Sequence, residues 1–204
     1  MRYEQRRIDG DISDDFGGNV KMLTLKNVKK RYNEFELDCS MEVHSGMITG
    51  FVGRNGAGKT TALKAALGLI HTDGGEIRIL GKSAEDLTPA DRAQVGVVLA
   101  DSGFSEYLSI PDLLPVMESM YPRFDRQKFI KRCEHFQLPM KKSIKEYSTG
   151  MKRKLQVLSA LSHEADFLIL DEPTSGMDVL ARDEILDMIQ EYMQEKEDRA
   201  VLIS

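Results

Sequence analysis

Apolar positions along the chain fall into two alternating textures. Met47-Ile48-Thr49-Gly50-Phe51-Val52, Val95-Gly96-Val97-Val98-Leu99 and Phe167-Leu168-Ile169-Leu170 are short, nearly continuous apolar runs. Runs of that length, rich in β-branched residues, predict strands buried on both faces. Lys59 to Leu69 carries two apolar stripes, Ala62, Ala65, Ala66 and Leu69 on one and Leu63, Leu67 and Ile70 on the other. That double stripe predicts a helix packed on several sides. Ile185, Met188, Ile189, Tyr192 and Met193 keep i, i+3, i+4, i+7, i+8 spacing, the mark of a one-faced helix. Strand-like and helix-like segments interleave, so the predicted class is α/β.

From Leu108 to His163 the texture is helical, with breaks predicted at Pro111, Pro122 and Pro139. This block reads as a helical insertion between strands of the sheet. The first 21 residues are polar and rich in Gly and Asp, and periodicity begins only at Met22-Leu23-Thr24-Leu25. They read as a flexible extension without the apolar stretch of a secretory signal. Ala200-Val201-Leu202-Ile203-Ser204 begins another apolar strand as the chain ends, which suggests a further C-terminal piece.

Composition narrows the classes. The 204 residues are 41% hydrophobic, enough for a packed core and against wholesale disorder. Twenty-eight Lys+Arg against 33 Asp+Glu give 28 − 33 = −5, which argues against nucleic acid as a partner held by bulk charge. Cys39 and Cys133 stand far apart without CxxC spacing, fitting a reducing compartment and no zinc site. No apolar run approaches the roughly 20 residues of a membrane-spanning helix, so the chain is expected to be soluble and intracellular.

Gly53-Arg54-Asn55-Gly56-Ala57-Gly58-Lys59-Thr60 matches G-x-x-x-x-G-K-[ST] and lies between a predicted strand and a predicted helix, the context the motif requires. The glycines let the backbone turn tightly and aim N–H groups at phosphate oxygens. The following helix, opening with Lys59, Thr60 and Thr61, offers its unpaired N–H groups and positive dipole end to the same anion. Lys59 supplies charge for the β- and γ-phosphates, and the Thr60 hydroxyl is placed to ligate Mg²⁺. Asp171-Glu172 closes the apolar strand run Phe167–Leu170. Asp171 is expected to emerge at the strand tip on the magnesium side, and Glu172 to point the other way and polarise the attacking water.

Two further stretches complete a pattern. Tyr147-Ser148-Thr149-Gly150-Met151 precedes a helix with apolar positions at Met151, Leu155, Leu158 and Leu161, and Ser148 or Thr149 can cap it. Asp171-Glu172-Pro173-Thr174-Ser175-Gly176-Met177-Asp178 follows the acidic strand. With the phosphate loop, in this order, they make residues 22–204 resemble the nucleotide-binding subunit of an ATP-binding cassette (ABC) transporter. The Tyr147–Met151 stretch resembles the signature written LSGGQ, and the later run resembles Walker B continued into the D-loop.

The resemblance implies a P-loop NTPase fold: a mainly parallel core sheet, an antiparallel β N-terminal part, and a helical subdomain, about 105–163, inserted before Walker B. It implies ATP and Mg²⁺ as cofactors and Glu172 as the catalytic residue. Tyr32 would stack on adenine, and Ser148, Gly150 and Asp178 would complete ATP sites between two subunits, alike or different. The other partner implied is an integral-membrane permease that holds the chain at the cytoplasmic face of the membrane, most similar to the ABC-2-type exporter group.

Where the family carries a Q-loop glutamine this chain has Ala100, followed by Asp101, which is expected to replace the metal contact in part. The signature departs from the family pattern at Tyr147, Thr149 and Met151. The family's switch histidine would fall beyond Ser204. His44, His71, His135 and His163 occupy none of the motif positions and are expected at the surface or its boundary. A soluble ABC ATPase outside transport and a non-hydrolysing nucleotide-binding regulator are the alternative functions. A GTPase is disfavoured by the absence of an NKxD motif.

Overall fold

The computed structural model describes residues 2–6, 20–33 and 35–204. Among these, strands form two sheets. The larger runs in the order β1 (Arg2–Arg6), β4 (Ile48–Val52), β9 (Ala200–Ile203), β8 (Phe167–Leu170), β7 (Val95–Val98). β4, β9, β8 and β7 are parallel, and β1 lies antiparallel along β4. The smaller sheet is antiparallel, in the order β3 (Glu36–His44), β2 (Lys21–Arg31), β5 (Gly74–Ile79), β6 (Lys82–Ser83).

The apolar runs are continuous because both faces of the larger sheet are covered. In β8, Phe167 and Ile169 face a core shared with β2, β3 and the helix α1 (Lys59–Ala66). Leu168 and Leu170 face a second core shared with the helical block. β9 repeats the alternation, with Ala200 and Leu202 on the first side and Val201 on the second. The sheet is thus a common wall between two cores.

The helix expected to reach Leu69 stops at Ala66. The chain reverses at Gly68 (φ +69°), where the Gly68 N–H donates to Ala65 O at 3.0 Å and the Leu69 N–H to Lys64 O at 2.9 Å, closing the last turn. Leu69 therefore leaves the packed face and is 59% exposed. A single helical turn, α2 (Pro89–Arg92), precedes β7. The helical block holds α3 (Ile110–Met120), α4 (Arg126–His135) and α5 (Thr149–Leu161). Pro111 does not break it. It sits in the first turn of α3, where the missing N–H would have no intrahelical partner.

α6 (Val179–Glu195) buries the five side chains its periodicity singles out, each worth roughly 2 kcal/mol of transfer free energy. Beyond its end lies Arg199, fully buried. Its guanidinium donates to Glu195 Oε2 at 2.7 Å, to Glu164 Oε2 at 2.8 Å and to the Tyr192 carbonyl at 2.8 Å, and lies 4.2 Å from the Tyr192 ring centre.

Further features depart from the sequence reading. Arg2–Arg6, read as part of a flexible extension, form β1; a short polar strand suits a sheet edge, where only the backbone needs to pair. The rest of that extension up to residue 19 lies outside the described residues. His44 and His163 are buried rather than peripheral, at 7% and 2% exposure. His163 stacks on Tyr121 with ring centroids 4.0 Å apart, and its Nδ1 lies 3.2 Å from Ser159 O. Burial pulls its pKa down, so the neutral imidazole is favoured.

Candidate nucleotide site

Parallel strands deliver their C-terminal ends to one edge, and the loops that follow converge there. After β4 the chain turns through 53–58 into α1. Gly58 caps that helix with φ +93°, a left-handed conformation natural to glycine. The Ala57 N–H donates to Arg54 O at 3.0 Å, tightening the loop. Lys59 folds back over it, its ammonium donating to Gly53 O at 2.9 Å and Arg54 O at 3.4 Å.

The neighbouring strand ends bring the acids. Asp171 does not emerge into solvent; it is fully buried, because β7 and β9 flank β8 on both sides. A carboxylate taken out of water needs hydrogen bonds to both oxygens. Oδ2 accepts the Thr60 hydroxyl at 2.7 Å and Oδ1 accepts the Ser204 hydroxyl at 2.6 Å. Glu172 takes a left-handed backbone conformation (φ +47°), and its N–H donates to Ser204 Oγ at 3.2 Å. It lines a cavity of about 210 Å³ together with Phe35, Asn55, Gly56, Lys59 and Thr60. Thr61 and Gly58 complete that lining.

Ser204 and Phe35 are additions that the sequence did not single out. Topology is the signal for Ser204: it directly follows β9, the strand between the phosphate-loop strand and the acidic strand. Phe35 has no motif to announce it.

Ser148, Gly150 and Asp178 do not line the cavity. Ser148 is exposed and caps α5, its Oγ accepting the Met151 N–H at 3.2 Å. Gly150 packs near Met177 and Ala181, and Asp178 caps α6 by accepting the Ala181 N–H at 2.9 Å. The signature is therefore a second helix start, separate from the cradle. Tyr32, 47% exposed, stands beside Phe35 with ring centroids 6.3 Å apart.

Asp101 does not line the cavity either. Its carboxylate accepts the Lys64 ammonium at 2.6 Å, a contact that lowers its pKa. The loop after β7 is instead tied to α5. Arg153 Nη1 donates to Leu99 O at 3.3 Å and to Gln156 Oε1 at 3.0 Å, and Gln156 Nε2 donates to Ser102 O at 2.7 Å. Burial lowers the Arg153 pKa, while the charges of Asp171 and Glu172 oppose that shift.

Residues 37–175 match the family described as ABC transporter. The chain belongs to the ABC transporter family. Among curated relatives it is 36% identical over 171 residues to the Nod factor export ATP-binding protein I of Burkholderia orbicola (strain AU 1054), covering 80% of this chain and 56% of that one. It is 30% identical over 178 residues to the bacitracin transport ATP-binding protein BcrA of Enterococcus faecalis, covering 85% and 58%. A solved ATP-binding subunit of an ABC transporter superposes with a TM-score of 0.76 at 25% identity, covering 90% of this chain and 79% of that one. Another, the ADP conformation of the ATP-binding cassette MJ1267, shares the fold with a TM-score of 0.71 at 20% identity, covering 90% and 80%. The chain thus spans little more than half the length of the two curated ABC relatives.

The residues present suit magnesium. Thr60 and Asp171 offer hard oxygen donors already within hydrogen-bonding distance of each other, and Mg²⁺ is held by one or two such groups plus phosphates and water. Among the described residues no group of three or more His, Cys, Asp or Glu could hold a metal by itself. No helix among them is long and apolar enough to cross a membrane.

Proposed function

We propose that this chain is the ATP-hydrolysing subunit of a membrane transporter, acting as an exporter. The observation that carries the reading is the meeting of the Thr60–Asp171 contact with Glu172 and Lys59 at one cradle. Backbone N–H groups of 53–60 and the start of α1 hold the phosphates, and Lys59 turns its ammonium from the loop carbonyls toward the β- and γ-phosphates. Thr60 and Asp171 hold magnesium, which when bound supplies neutralising charge to those phosphates. Glu172 accepts a hydrogen bond from water and orients it for in-line attack on the γ-phosphorus. Tyr32 packs on adenine. Ser204, holding both Asp171 and the Glu172 backbone, fixes the two acids relative to each other.

Ser148, Gly150 and Asp178 lie outside the cradle, which supports a role across a subunit interface. In that reading two subunits close around ATP, and closure is favoured only because ATP binds the closed state better. A permease is the second partner. An apolar cavity of about 390 Å³ opens between the end of α1, β7 and the helical block, with Leu69, Val97, Phe104 and Met117 in its lining. We assign permease docking to it, so that α3 and α5 pass movement at the cradle to the membrane. The relative named for Nod factor export supports the outward direction. The test is copurification with a polytopic membrane protein whose vesicles move substrate only with hydrolysable ATP; a complex that forms with RNA or ribosomes and no membrane protein rejects the transport reading.

A further inference from the structure

Asp171 and Glu172 are adjacent in the chain, yet both reach the same site. Asp171 bonds the Thr60 hydroxyl, and Glu172 lines the cavity that Thr60 and Lys59 also line. A continued strand would send two successive side chains to opposite faces. The chain avoids that outcome by leaving extended geometry at Glu172, whose φ of +47° lies in the left-handed region. That region is uncommon for a residue with a Cβ, and the following Pro173 favours extended backbone at position 172. A conformation disfavoured on both counts persists only where its surroundings hold it.

The holding contacts come from the end of β9. The Ser204 N–H donates to Leu170 O at 3.0 Å, continuing the β8–β9 ladder one residue past Ile203. Ser204 is thereby anchored beside the bend, and its hydroxyl makes two bonds there. It donates to Asp171 Oδ1 at 2.6 Å and accepts the Glu172 N–H at 3.2 Å. On the other side of the bend, the Glu172 carbonyl accepts the Ser175 N–H at 3.2 Å. We propose that Ser204 is a positioning residue for hydrolysis: its hydroxyl holds the left-handed bend at Glu172, and the bend brings the water-orienting carboxylate round to the cradle. Asp171 depends on Ser204 less, because Thr60 occupies its other oxygen. This inference deepens the ATPase reading above and rests on it.

Phosphate release and MgATP binding by the assembled transporter test it, in the parent, Ser204→Ala, Glu172→Gln and the double variant. Ser204→Ala is expected to hydrolyse about tenfold more slowly, the scale of a slightly misplaced catalytic group, with MgATP affinity unchanged. In the Glu172→Gln background the same substitution is expected to slow release no further, because the carboxylate it positions is gone. Ser204→Cys, close in shape but a weak donor and acceptor, should match the alanine variant and stands as the test if that variant does not fold. Parent-like turnover in the folded Ser204 variants would overturn the inference. Equal slowing in both backgrounds would overturn it too, since Ser204 would then not act through Glu172. So would a matching loss of MgATP affinity, which would make the hydroxyl a support for Asp171 and its metal. A parent-like rate in Glu172→Gln alone is a different result: it rejects the ATPase role of Glu172, and the inference with it.

Discussion

Thr60 donates its hydroxyl hydrogen to Asp171 Oδ2 at 2.7 Å, joining residues 111 positions apart in the chain. The first turn of α1 and the end of β8 are thereby fixed against each other. The donor pair proposed for magnesium is already assembled, with Ser204 on the other carboxylate oxygen. Asp171→Asn keeps a hydrogen-bonding side chain of the same shape, so the fold should survive. Its Mg²⁺-supported ATP affinity should fall about tenfold or more, with ATP affinity in EDTA unchanged. Equal loss with and without magnesium, measured by titration, would count against the metal role.

Ser148 separates stability from chemistry. Removing its cap on α5 with Ser148→Ala should cost about 1 kcal/mol in denaturant unfolding. ATP affinity of the isolated chain should not change, because Ser148 does not line the cradle. Turnover of the assembled pair should drop. A variant that loses ATP affinity as a lone chain would place the signature in the same-chain site.

Arg199 is buried between Glu164 and Glu195. Arg199→Ala leaves two partly buried carboxylates without that partner, although Lys128, Arg132 and Lys196 still reach one or the other. The expected loss is about 3 kcal/mol of unfolding free energy, read by chemical denaturation, with nucleotide affinity of the folded fraction unaltered.

Much of this architecture is legible in the residues. Phe167–Leu170 reads as a strand buried on both faces because each successive side chain meets a different core. The phosphate loop is legible because its chemistry demands particular residues at fixed spacing. Less local features are not. The end of α1 depends on a left-handed turn at Gly68, and two apolar stripes run on past it. The burial of Asp171 depends on which strands flank β8, and strand order is a property of the whole fold. Phe35 is hidden for the same reason: its position over Gly58 comes from the packing of one sheet against the loop of the other.

His163 gives a pH dependence. Its pKa is lowered in the folded state by burial, with the Arg123 charge adding to the shift and the Ser159 carbonyl and Glu164 opposing it. The unfolded chain, with an ordinary pKa near 6.5, binds the proton first as pH falls. Folding stability should therefore decline from about pH 7 toward pH 5. His163→Gln should flatten that decline, as followed by thermal unfolding across the range; an unchanged slope would mean that the imidazole is not the group responsible.

Lys59 and Glu172 line one cavity but are assigned to different steps, binding and hydrolysis. ATP affinity and phosphate release, measured side by side for the parent, Lys59→Ala and Glu172→Gln in the assembled transporter, test that division most directly. Lys59→Ala should lose most of its ATP affinity. Glu172→Gln should bind ATP as the parent does, release phosphate about 100-fold more slowly or worse, and accumulate the closed pair. Parent-like affinity in Lys59→Ala, or parent-like turnover in Glu172→Gln, would contradict the account.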